Sequence, residues 1–132
     1  IPSYQDYTAR AQVTEAIGLA SQYKVTLAEL YSSQGGFASG LSTATVGGTT
    51  AGKYVSAIAL TNITPVNGGT IMVEATLGNA NAAAAIRGSA FVIATGDGGR
   101  TWFCGAKAEQ APLSLTPTTV QIGQKYMPGS CK

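Results

Sequence analysis

The chain has 132 residues, with 8 Lys and Arg against 6 Asp and Glu, a net charge of +2 and no histidine. One domain is expected at this length, large enough to bury a core without a structural metal. The sparse charge, with no basic tract, excludes a large nucleic-acid footprint, and the lack of histidine excludes Ser–His–Asp and Cys–His chemistry and removes the commonest metal ligand. The 17 glycines, with abundant Ala, Ser and Thr, fit a secreted or surface-assembled β-rich protein better than a cytosolic enzyme. No apolar run reaches the ~18 residues of a membrane span.

Residues 1–31 read as one long helix. Pro2 sits where a missing N–H costs least, and Ser3 or Asp6 is the expected cap. Val13, Ile17, Ala20, Tyr23, Leu27 and Leu30 recur at spacings of three and four, the mark of one buried face. Ala9, Ala16, Leu19 and Tyr31 widen it. Such a helix, roughly 40 Å long, is long for so small a domain.

The helical pattern is expected to stop after Tyr31, at SSQGG, with Gly35 and Gly36 as breakers. Residues 32–52 are rich in Gly, Ser, Thr and Ala. They read as a long connection pinned by Phe37, Leu41 and Val46, with room for a short strand, or as a poorly ordered loop. Residues 53–106 carry the expected sheet. KYVSAIALTNI (53–63) and GTIMVEATLG (69–78) form a hairpin around PVNGG, with Asn67-Gly68 in the turn. In the second strand Ile71, Val73, Ala75 and Leu77 alternate with Met72, Glu74 and Thr76. Residues 79–88 are either a helical turn or a loop. SAFVIATG (89–96) and TWFCGA (101–106) add two strands around Gly96–Arg100. Residues 107–132 form a loop-rich tail with a short candidate strand at Thr119–Ile122. The fold class expected is α+β, a long N-terminal α-helix packed on a four-stranded antiparallel sheet. The second half of the helix is the cover for the sheet's one apolar face.

Cys104 and Cys131 are expected to pair in an oxidising compartment, two buried thiols being the alternative. No carboxylate pair is placed by spacing for acid–base work, so a secreted enzyme is disfavoured. Gly96–Arg100 lacks the Lys and Ser/Thr of a phosphate-cradling loop and reads as a hairpin turn. With one carboxylate it is poor in calcium ligands. Asn62-Ile63-Thr64 spells an N-glycosylation acceptor, although a strand end is the plainer reading. No cofactor and no metal ligand set are read from the sequence.

Both ends of the chain carry recognisable motifs. Ile1, Pro2, Tyr4, Tyr7, Ala9, Arg10 and Gln12, followed by Val13, Glu15 and Ala16, resemble the segment after the membrane-embedded helix of type IVa pilins of Gram-negative bacteria. Trp102-Phe103-Cys104 and Lys125-Tyr126-Met127-Pro128-Gly129-Ser130-Cys131 resemble that family's closing motifs, the pseudomonad members most of all. The resemblance implies a structural subunit that polymerises with copies of itself into an extracellular pilus. Such fibres support adhesion, twitching motility, DNA uptake and phage reception. A minor pilin or a type II secretion pseudopilin is the alternative. The Cys104–Cys131 loop becomes the adhesive region toward a host-cell glycan or an abiotic surface, with Lys107, Glu109, Lys125, Tyr126, Pro128, Gly129 and Ser130 as candidates. Residues 32–52 become the subunit-contacting connection. Ser42, Thr43, Thr45, Thr49 and Thr50 are candidate O-glycosylation acceptors. The resemblance further implies the pilus assembly machinery as a partner, and residence in the inner membrane before assembly through a hydrophobic segment ahead of Ile1. We read the chain as trimmed of that segment, and expect this piece to fold but not to build native fibres. The first turns, Ile1 to Arg10, are then expected to project toward a fibre core.

Overall fold

A single helix, α1 (Pro2–Gln34), runs for 33 residues, about 50 Å. The computed structural model describes residues 2–63, 67–78 and 80–132, with side chains from residue 4. The side chain of Ser3, the expected cap, is therefore not described, and Thr64 of the acceptor pattern, Pro65-Val66 of the first turn and Asn79 lie outside the described residues. Asp6 is not a cap, because the helix begins four residues before it. The helix passes the expected end at residue 31 by three residues and closes on Gly35. That glycine has φ 79°, and its N–H bonds the Tyr31 carbonyl at 2.8 Å. Left-handed backbone of this kind is where glycine ends helices.

The inward stripe of α1 is Ala9, Val13, Ala16, Ala20, Tyr23 and Leu27, all buried. Ile17, Leu19, Leu30 and Tyr31 are half-buried against the same core. Small residues at positions 9, 16 and 20 let the helix lie close to the sheet, where it packs on the second and third strands. Gln12, an unexpected polar member of the buried set, accepts the Ala83 N–H at 2.7 Å.

The sheet is antiparallel, in the order β1 (Ala57–Thr61), β2 (Ile71–Thr76), β3 (Ala90–Thr95), β4 (Phe103–Cys104). The strands are shorter than their apolar runs, and β4 keeps two residues, paired with Ile93 and Ala94. Ile71, Val73, Phe91 and Ile93 point at α1 and join its core. The expected strand at Thr119–Ile122 is reduced to one parallel bridge from Gln121 to Ala90. Residues 32–52 carry a short helix, α2 (Thr43–Val46), instead of a strand. Residues 80–88 are turns that send Ala82 and Ile86 into the core.

The largest departure concerns the other side of the sheet. The sequence suggested one apolar face, but β2 is buried on both sides. Met72, Ala90, Val92 and Ala94 form a second small core with Ala108, against which Leu113 and Leu115 pack. The tail therefore covers the face that α1 does not reach. Alanine and valine on β3 leave room for it.

The connection between α1 and β1 is held by polar clamps as well as by Phe37. Phe37 N–H bonds Gly68 O at 2.9 Å, and Asn67 N–H bonds Phe37 O at 2.9 Å. The Gln22 amide pairs with the Thr49 backbone, donating to its carbonyl at 2.8 Å and accepting its N–H at 3.1 Å. The Glu15 carboxylate accepts the N–H groups of Lys53, Tyr54 and Val55 at 3.2, 2.9 and 3.0 Å. A stretch poor in large apolar groups is thus ordered by its backbone donors.

Candidate functional site in the stapled C-terminal region

Cys104 and Cys131 form a disulfide with Cα atoms 4.9 Å apart, so the tail from β4 onward is a closed loop. Gly105 follows with φ 59°. A side chain there would run into the Cys131 carbonyl, and only glycine admits this approach. The loop begins with a 3-10 turn, Gly105–Glu109, and ends with two more, Gln124–Tyr126 and Gly129–Cys131.

Three attachments hold the loop to the rest. The first is Glu74, in the middle of β2 and 1% exposed. Its carboxylate accepts the Thr61 hydroxyl at 2.6 Å, the Thr118 N–H at 3.1 Å, the Thr118 hydroxyl at 3.0 Å and the Thr119 N–H at 3.2 Å. A carboxylate needs several donors to tolerate such burial, and these threonines supply them. The second is the backbone pairing of Ala90 with Val120 O at 2.8 Å and Ile122 N–H at 2.9 Å. The third is a clasp on α1. Arg10 Nε donates to Lys125 O at 2.9 Å, and Lys125 Nζ lies 3.5 Å from Asp6. The Lys125 ammonium also sits 5.2 Å from the Tyr126 ring centre. Tyr126 and then Asp6 hold its pKa above the usual lysine value. Contact between helix and head therefore begins at Asp6, earlier than the sequence suggested.

Of the residues expected on an adhesive surface, Lys107, Glu109, Lys125, Pro128, Gly129 and Ser130 are exposed. Glu109 is bonded to Gln121, and Lys125 is engaged with Asp6. Tyr126 is 9% exposed and packs under the loop instead of facing out. Lys107 and Glu109 lie on the first 3-10 turn and Gly129 and Ser130 on the last, and the two turns touch beside the disulfide. Lys125 stands apart, against α1.

Elsewhere, the Gly96–Arg100 segment is the expected turn. Gly98 and Gly99 adopt φ of 76° and 93° and press on Tyr31 and Ala28 of α1. Asp97 caps this turn through the Thr101 N–H at 2.8 Å and the Thr95 hydroxyl at 2.9 Å, which holds its carboxyl below the usual range. The Asn62 amide donates to Thr116 O at 3.0 Å, a tertiary role that accounts for its place in the chain. Among the described residues no group of His, Cys, Asp and Glu gathers as for a metal, and no helix is long and apolar enough to cross a membrane.

At the far end of the molecule Tyr4 and Tyr7 stand 71% and 73% exposed on one face of α1. They are three residues apart, so they form a continuous aromatic stripe that this chain leaves uncovered.

The family model for pilin, the bacterial filament protein, matches residues 9–132, from the first buried turn of α1 to the last residue. The chain belongs to the pilin family. It is 33% identical over its whole length to a fimbrial protein of Neisseria meningitidis serogroup A, covering 81% of that protein. It is 32% identical to the type IV major pilin protein PilE of Neisseria gonorrhoeae, covering 80% of it. The fimbrial protein EcpC of Eikenella corrodens is 29% identical, with 76% of its length covered. The long helix, the four-stranded sheet and the stapled tail are the pilin fold.

Sequence reading missed Glu74, Glu15, Gln12 and Gln22 as organising residues. A signal was present for Glu74, a lone acid inside the apolar run IMVEAT. Its partners on the tail, in LTPTTV, lie more than forty residues away, and no local pattern joins the two.

Proposed function

We propose that the chain is the structural subunit of a type IV pilus, polymerising with copies of itself into an extracellular fibre and performing no catalysis. What carries the reading is that similarity to proteins named fimbrial protein and type IV major pilin runs along all of the chain. Those names favour a major subunit over a minor pilin or pseudopilin. The spelling of Lys125–Cys131 supports a pseudomonad-type member, while the relatives reported come from Neisseria and Eikenella.

Polymerisation takes place through α1, whose exposed Tyr4 and Tyr7 pack against neighbouring copies with the help of the assembly machinery. The stapled region is the adhesive surface. Lys107, Glu109, Pro128, Gly129 and Ser130 meet a host-cell glycan or an abiotic surface, and Tyr126 supports them from beneath. Adhesion, twitching motility, DNA uptake and phage reception follow from the fibre. For O-linked sugar, Thr49 and Thr50 are the better acceptors, since both are exposed while Ser42 and Thr43 are half-buried and the Thr45 hydroxyl is bonded to Ser42.

The test is expression of the native gene in a pilus-competent host lacking its own major pilin. Sheared surface fibres made of this chain are expected. Protein that stays cell-bound, while the host's major pilin supplied back to the same strain assembles, would overturn the reading.

A further inference from the structure

Between the turn that joins β3 to β4 and the first part of the tail lies a groove of about 530 Å³, a volume typical of small-ligand sites. None of the residues assigned to the adhesive surface lines it. Phe103, Pro112, Leu113 and Leu115 give it an apolar lining, and Thr70, Asp97 and Thr101 give it oxygen acceptors. Gly96 lies where the two linings meet. Its backbone is not left-handed, so conformation does not call for glycine there. Space does, because a Cβ at Gly96 would stand 2.6 Å from a Leu113 methyl and 3.9 Å from the Thr70 hydroxyl oxygen. The missing side chain keeps the groove open. Asp97 brings the one charge of the lining. The Thr95 hydroxyl and the Thr101 N–H both bond its Oδ1, at 2.9 and 2.8 Å, and no ion pair reaches the carboxylate among the described residues. The neighbouring Arg100 lines the cleft on the α1 side of the turn, with Ala28 and Tyr31.

We propose that this groove binds an alkylammonium group, with its nitrogen on Asp97, Thr70 and Thr101 and its methylene stem along Phe103, Leu113 and Leu115. An ammonium has three donors and no acceptor, and each of the three side chains can take one donor. Its stem is apolar and gains from leaving water. A guanidinium fits less well, since its fork engages both carboxylate oxygens and Oδ1 already holds two donors. A divalent cation calls for more oxygen ligands than one carboxylate and two hydroxyls supply. An anion is repelled by Asp97. The groove belongs to a single copy of the chain, so the inference stands whether or not the chain is a fibre subunit.

The test is an NMR titration of the amide shifts of the disulfide-bonded chain at neutral pH and constant ionic strength. The probe is n-butylammonium chloride, with n-butanol as its neutral counterpart. Saturable shifts are expected at Thr70, Gly96, Asp97, Thr101 and Leu113. The alcohol should bind roughly tenfold more weakly, the size of losing one charge-assisted hydrogen bond. Asp97→Asn keeps an acceptor for the turn and should weaken the amine by a similar factor while sparing the alcohol. If that variant does not fold, Thr70→Val removes one acceptor and no charge, and should weaken the amine severalfold. Gly96→Ala leaves every charge in place and should weaken both ligands. A second arm uses Nα-acetyl-lysine methylamide. Binding as tight as that of the free amine assigns the groove to a lysine side chain of another protein, and weaker binding assigns it to free amines. Equal affinity for amine and alcohol would overturn the proposal. So would shifts that saturate around Glu29 or Glu109 instead of Asp97.

Discussion

Glu15 and Glu74 do at single positions what large apolar side chains do elsewhere in the molecule. Each gathers backbone N–H groups from a segment too small and polar to pack itself down. Glu15 takes three donors ahead of β1, and hydrogen bonds to a charged group are worth about 1.5–3 kcal/mol. Glu15→Ala should therefore destabilise by about 1–3 kcal/mol, measured by urea unfolding, and speed amide exchange at Lys53–Val55. Gly98 is the opposite case, a residue whose value is its missing side chain. With φ 76° and the Tyr31 ring against it, Gly98→Ala should cost more than ~1 kcal/mol. At Asp97, the Thr101 amide and the Thr95 hydroxyl favour the ionised form. The turn's stabilisation is then complete above the ordinary Asp pKa and is lost as pH falls through the lowered folded value. Because Asp97 is exposed, solvent screening limits this to at most about 1 kcal/mol. Asp97→Asn should flatten the acid side of the melting-temperature profile by that amount, and an unchanged profile would contradict the assignment.

At the scale of elements, the helix was legible and the tail was not. Val13, Ile17, Ala20, Tyr23, Leu27 and Leu30 repeat at helical spacing, and that local pattern survives folding as the packed stripe. Gly35 was equally plain as a terminator. The four strands were visible because β-branched and aromatic runs were separated by Gly-rich turns. The clamps on residues 32–52 and the second core under 107–122 depend on partners far away in sequence, which periodicity does not report. The cysteine pair showed that the tail was stapled, and nothing in it showed which face of the sheet it would cover. Two consequences are measurable by thermal melts. Leu27→Ala opens a cavity between α1 and the sheet and should cost about 2–5 kcal/mol. Replacing both cysteines by serine should cost a similar ~2–5 kcal/mol, with the loss of exchange protection concentrated beyond Phe103 while α1 stays protected.

At the scale of the whole molecule, the two ends are built differently. Most of α1 is spent on the sheet, and the tail reaches back to clasp it at Asp6 and Arg10. Alongside that clasp the helix turns Tyr4 and Tyr7 outward, a pair of large rings that the monomer does not cover. The proposed filament subunit accounts for both features, a head closed on itself and a helix end that a neighbouring copy would cover. The disulfide-bounded region then lies on the head, where its exposed 3-10 turns are free to meet other surfaces. The direct measurement is photo-crosslinking from position 7 in intact surface fibres formed by the full-length product of the native gene. We expect a ladder of covalent multimers of this chain, with the crosslink mapping to α1 of a neighbouring copy. Crosslinks confined to another protein, or a position 7 as open to solvent in the fibre as in the free chain, would contradict the account.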